Sequence, residues 1–162
     1  MNGSKGNAAF NASEKPERSD LILNLNTARR MLPLVKRVVE DILGDRKALV
    51  RLQPEIARLD RQKRDLAWQE RQRRYRVHDE AAVADKHLQD SLEELHTLGL
   101  TLLDGDLGQI GFPTIVNDRR AYFTWQLGQD TLVSWQFEDE RASRAIPASW
   151  WKVSEASMNE KI

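Results

Sequence analysis

Few side chains in this sequence could do chemistry, and their spacing narrows what that chemistry could be. His78, His87 and His96 recur every nine residues. On a helix that interval is half a turn out of phase, and it sets His78 and His96 roughly 27 Å apart. One chain therefore cannot gather them around a metal. Asp104, Asp106 and Asn117 are cation-ligand types, but they lie in Asp104-Gly105-Asp106-Leu107-Gly108 and Asn117-Asp118, where they are ordinary turn formers. Trp125 and Trp135, with Phe112 and Phe123, form an aromatic set that Thr124, Gln129 and Gln136 accompany. Phe112, Thr124, Trp125, Gln129, Trp135 and Gln136 are accordingly a candidate pocket between sheet and helices; the alternative is that the aromatics are simply core. A hydroxyl and two neutral amides are weak acid–base groups. The absence of cysteine removes thiolate and disulfide chemistry. No catalytic residue, cofactor site or metal site follows from these residues, and the expectation leans away from an enzyme.

A second candidate surface is basic. Between Arg58 and Arg76 stand Arg58, Arg61, Lys63, Arg64, Arg71, Arg73, Arg74 and Arg76 against Asp60, Asp65 and Glu70, a local excess of five cations. Trp68 and Tyr75 are interleaved, as phosphate contact and base stacking would require. Arg64, Trp68, Arg71, Arg73, Arg74, Tyr75 and Arg76 are thus a candidate site for an anionic partner: nucleic acid, an acidic protein or a membrane surface. The alternative is a solvated helical arm whose Trp68 covers a turn. No recognised nucleic-acid motif accompanies the patch.

The elements that would position these groups read as α+β. Apolar residues at alternating steps of three and four run from Ala28 through Met31, Val35, Val38, Ile42, Leu49, Leu52, Ile56 and Leu59 to Leu66, interrupted at Asp45 and Lys63. Such a seam belongs to a helix packed lengthwise on another helix. It keeps its phase across Pro33 and Pro54, which predicts one kinked helix over 27–66, with Thr27 as N-cap and Gly44 to Pro54 as its weakest stretch. Leu32, Leu34, Val39 and Leu43 widen the seam near its start, whereas beyond Leu49 it is a single line. The first third should therefore lie in a globular body and the rest should project as an arm. Val77, Ala81, Ala84, Leu88, Leu92, Leu95 and Leu98 mark the partner helix over 70–98, with the turn near Ala67-Trp68-Gln69 and Gly99 as C-terminal cap. A strand is expected over 20–25, a β-meander over 100–137, and an irregular crossing segment over 138–151. In the meander Gly111 and Pro113 mark an edge or bulge, and Val133, Trp135 and Phe137 share a face. Trp150 and Trp151 would fasten the crossing segment, and Arg144 would pin it to a helix C-terminus. Residues 1–19 read as a disordered tail and 152–162 as a frayed one, leaving a single domain over 20–151.

Ala28-Arg-Arg-Met-Leu-Pro33, Leu98-Gly99, Gly108-Gln-Ile-Gly-Phe-Pro113, Thr124-Trp125-Gln126-Leu127-Gly128 and Ser134-Trp135-Gln136 occur in this order around a helical hairpin. In this the chain resembles the bacterial family catalogued as domain of unknown function 2203, over about residues 20 to 150. The resemblance carries no established activity. It implies Asp-Phe-Pro, Cys-Trp, Gly-Glu and Trp-His where this chain reads Gly111-Phe112-Pro113, Thr124-Trp125, Gly128-Gln129 and Trp135-Gln136. If relatives use that Asp, Cys, Glu and His for a metal or for proton transfer, this chain should not.

The 162 residues carry 25 basic and 25 acidic side chains, so formal net charge is zero, which argues against a general nucleic-acid binder. No leader opens the sequence, and no apolar run approaches the roughly 18 residues of a membrane span, so a cytoplasmic protein is expected. The expected function is a non-enzymatic interaction or scaffold protein acting through the projecting hairpin, with a homodimer through the arm as the simplest partnership. The alternatives are a binder of an anionic partner at the hairpin tip and a ligand-binding or degenerate enzyme site beside the sheet tryptophans.

Overall fold

The computed structural model describes residues 21–152; the tail expected over 1–19 lies outside them, as does the one expected over 152–162 except for Lys152, which is helical. Two long helices, α1 (Leu25–Arg61) and α2 (Trp68–Thr97), form an antiparallel hairpin. A five-stranded antiparallel sheet follows: β1 (Thr101–Asp104), β2 (Gln109–Val116), β3 (Arg119–Gln126), β4 (Ser134–Phe137) and β5 (Arg144–Ala145), in sequence order. The class is α+β, and no described helix is long and apolar enough to cross a membrane.

Helix α1 runs unbroken through Pro33, Gly44 and Pro54. An interior proline removes one hydrogen bond, at about 3 kcal/mol, and the burial of the seam on both sides outweighs that loss. Two clusters hold it. In the body, Ala28, Val35, Val39 and Ile42 of α1 and Leu88 and Leu95 of α2 pack with Ile110, Phe112, Phe123 and Trp125 of the sheet. In the arm, Leu52, Leu59, Leu66 and Val77 pack with Ile56 and Ala81 and with no strand. The expected change from a wide stripe to a narrow seam is thus the boundary between two cores.

The helix ends differ from expectation. Asn24, not Thr27, is the N-cap of α1: its Oδ1 accepts the Thr27 amide at 2.8 Å. Asn and Thr both suit this role, and Asn24 takes it because Leu25 and Ala28 are both buried. The strand expected over 20–25 is absent among the described residues. Leu23 N–H donates to the Pro113 carbonyl at 2.7 Å. Leu23 docks where β1, which pairs only as far as Gly111, has ended. Pro113 lacks an N–H to return, so no ladder continues. At the far end α1 stops at Arg61, and residues 62–65 make the turn, earlier than expected. Leu66 keeps its place in the seam, 7% exposed, but covers the arm's core from the connection and not from the helix. Helix α2 closes as expected at Gly99, where Gly99 N–H bonds the His96 carbonyl and Leu100 N–H the Leu95 carbonyl.

In the sheet, Asn117 and Asp118 both adopt positive φ and form the tight β2–β3 turn. The bulge lies in β1, between Leu102 and Asp104, and not in β2. The strand expected from Thr131 begins only at Ser134. Leu132 fills the core at 1% exposed and Val133 faces outward at 51%, so Val133 does not share the face of Trp135 and Phe137. The crossing segment contributes β5 and a helical turn over 148–152. Arg144 pins it differently from expectation: it pairs with Glu140 at 3.2 Å and lies over Trp135 and Phe137. Trp150 does fasten the segment, edge-on to Phe123 and tilted against Trp135.

Because Leu59 is wholly buried and belongs to the arm's own core, Leu59→Ala should cost about 2–5 kcal/mol, confined to the arm. Limited trypsin digestion should cut faster at Arg58, Arg61 and Arg64 while the sheet fragment stays intact. Leu107→Ala, at an exposed site, should leave the digest unchanged.

Candidate functional site

The basic cluster falls at the hairpin tip, and the fold divides it. Arg73 makes two hydrogen bonds to Glu55, at 2.6 and 2.9 Å, and Arg74 reaches Asp60 at 2.8 Å. His78 Nε2 shares the same Asp60 oxygen at 2.8 Å, and Arg58 lies 3.6 Å from Glu70. Arg51 pairs with Glu80 further down the arm. Hydrogen bonds from His78 and then Arg74 hold the Asp60 carboxyl below its ordinary range, and the Arg73 hydrogen bond does the same to Glu55. These cations brace α2 against α1.

The remaining tip cations are different. Arg61, Lys63, Arg64, Arg71 and Arg76 are exposed and make no ion pair among the described residues. Trp68 is 64% exposed and Tyr75 67%. Trp68, Arg71 and Tyr75 follow one another at steps of three and four along α2, so they share a face. Of the seven candidate residues, Arg64, Trp68, Arg71, Tyr75 and Arg76 are presented to solvent, whereas Arg73 and Arg74 are spent on the fold. Glu55 is the partner that the sequence window missed; it lies 18 residues before Arg73 and is brought across only by the hairpin.

The candidate pocket comes apart on the sheet. Strand alternation puts Phe112, Phe123, Trp125 and Trp135 on the face packed against the helices, where all four are core. Thr124 and Gln136 point to the opposite face. There Thr124 pairs with Gly111 and Ser134, and its hydroxyl meets Ser134 Oγ at 2.6 Å. Tyr122 lies across Gly111 so closely that a Cβ there would stand 2.8 Å from its ring. The positions at which the family resemblance implies Asp, Cys and His thus share the outer face of the sheet, and the position implying Glu does not. Gln129 sits in the turn after β3, its side-chain oxygen accepting the Gln126 amide and its carbonyl accepting Trp125 Nε1–H at 2.9 Å. Among the described residues no three of His, Cys, Asp and Glu lie close enough to hold a metal ion.

A family model described as "Uncharacterized conserved protein (DUF2203)" matches residues 22–144, from the start of the hairpin to β5. The chain belongs to that family. No curated protein and no solved structure matches it. In this DUF2203 chain, one concavity does lie beside the sheet tryptophans. An open groove of about 960 Å³ runs between the first turns of α1 and the β3–β4 loop. Trp125 and Gln129 line it; Phe112, Thr124, Trp135 and Gln136 do not. Its charged lining, Arg29, Lys36 and Asp130, was missed by reading from the aromatics. The available signal was Arg29-Pro33-Lys36 at helical spacing, just off the buried stripe.

Acid should loosen the arm. Glu55 and Asp60 have folded pKa values below their unfolded ones. Their contribution is therefore complete above their ordinary values, from about pH 5, and is lost as pH falls through the folded values. Thermal unfolding followed by circular dichroism should show Glu55→Gln/Asp60→Asn less stable than the parent at neutral pH. The difference should shrink steadily as pH falls below about 5.

Proposed function

We propose that this DUF2203 chain is a non-enzymatic interaction protein whose helical arm presents its tip to an anionic partner. One observation carries the reading: Trp68 and Tyr75 stand exposed on the α2 face of Arg71, and Arg71, Arg64 and Arg76 are exposed with no ion pair among the described residues, whereas Arg58, Arg73 and Arg74 are neutralised by cross-hairpin carboxylates. Aromatic rings left this open contribute little to folding. Rings interleaved with unpaired guanidinium groups suit stacking and charge contact with nucleic-acid strands or acidic surfaces.

The apolar seam gives less support to the homodimer expected from the sequence, because α2 fills it within one chain. Outside the tip, the large apolar side chains that the arm leaves exposed are Val50 and Val83. Two valines fall far short of the roughly 800 Å² per partner of a stable interface.

The test is fluorescence anisotropy at low salt with labelled single-stranded RNA and, separately, a labelled acidic peptide. Arg64→Glu/Arg71→Glu/Arg76→Glu should weaken binding more than about tenfold without changing thermal stability. For RNA it should also reduce the salt slope by about 2, as expected for three lost phosphate contacts. Trp68→Ala should weaken binding through lost stacking, and Arg73→Glu should instead destabilise the arm. A parent that binds neither probe at low salt would overturn the proposal.

A further inference from the structure

The groove beside Trp125 is the feature that the interaction arm does not use. Its wall on α1 is formed by Arg29, Leu32, Pro33 and Lys36, and its other wall by the β3–β4 loop with Ile146 and Trp151. Leu32, Trp125 and Leu132 are buried and make an apolar floor, while Val133 is half exposed above it. The charges lie at the rim. Arg29 holds its guanidinium 5.7 Å from the Trp151 ring centroid. Among the described residues neither Arg29 nor Lys36 has a carboxylate partner, in contrast to the arginines bracing the arm. Among the described residues Asp130 is the one acidic side chain on the lining, against Arg29 and Lys36, so their sum is a net positive charge. Seven residues separate Arg29 from Lys36, which places both cations on one side of α1, about two helical turns apart.

Pro33 adds a second peculiarity to the same wall. Having no N–H, it cannot donate to the Arg29 carbonyl one turn earlier. The helix thus lacks one of its regular internal bonds at the groove, between the two cations.

We infer that this groove is a binding site for a small monoanionic amphiphile, with its apolar body on Trp125, Leu132 and Trp151 and its carboxylate or phosphate between Arg29 and Lys36. Charge complementarity selects the anion, since two unpaired cations face one carboxylate. The apolar floor selects a ligand with a hydrocarbon or aromatic body over a bare anion, because inorganic phosphate would leave that floor uncovered. The site is independent of the arm's tip, from which it is separated by the arm's own core.

The experiment is calorimetric titration of the full chain with 1-naphthoate, its neutral amide and inorganic phosphate. The parent should bind naphthoate at least about tenfold more tightly than the amide, the difference expected of one charge-assisted contact, and should show no comparable heat with phosphate. Lys36 is exposed and makes no ion pair among the described residues, so Lys36→Glu should weaken naphthoate about tenfold or more at unchanged thermal stability. Lys36→Arg should retain binding, and Arg71→Glu at the tip should leave it unchanged. Absence of naphthoate binding, equal affinity for acid and amide, tighter binding of phosphate than of naphthoate, or indifference to Lys36→Glu would each overturn the inference.

Discussion

The packing of α1 on α2 beyond the body is the interaction on which the remaining architecture rests. Leu52, Ile56 and Leu59 from one helix meet Val77 and Ala81 from the other, and Leu66 covers the end. A buried leucine contributes roughly 1.5–3 kcal/mol, while exposed ion pairs contribute about 1 kcal/mol at most. The salt bridges across the arm, all between partly or largely exposed groups, therefore fix register more than they supply stability. Remove the seam, and the outer half of α1 is a solvated helix with a proline in it.

That division of labour explains which arginines remain available. A carboxylate on the facing helix captures any cation that points across the hairpin, so Arg73 and Arg74 become structural. Arg71 and Arg76 on α2, and Lys63 and Arg64 in the turn, meet no carboxylate among the described residues. The same logic holds in the body. Arg119 and Arg144 share Glu140 and lie over Phe137, which ties the crossing segment to the sheet. Arg29 and Lys36 face the groove, where no acidic neighbour captures them.

The sequence made the hairpin legible because its phase is apolar at ten of twelve positions and survives two prolines. A loop would have reset that phase. The ends were less legible. Asn24 and Thr27 can both cap a helix, and only the burial of Leu25 in the body decides between them. Leu21 to Leu25 looks like a strand by composition, but the sheet offers it Pro113, which accepts one hydrogen bond and can return none. The pocket failed for a related reason. Thr124 and Trp125 are adjacent in sequence, and adjacency in a strand means opposite faces. The residues that line the actual groove come from α1, the β3–β4 loop and the crossing segment, which only the closed fold brings together.

The central claim is that the hairpin closes its own seam within one chain and leaves its tip as the open surface. Native-state hydrogen exchange of the Leu52, Leu59 and Val77 amides, at two protein concentrations about a hundredfold apart, tests it most directly, because protection that depends on a partner chain follows mass action. The account predicts equal protection at both concentrations. Protection that rises with concentration would show that the seam needs a second copy to close, and would contradict it.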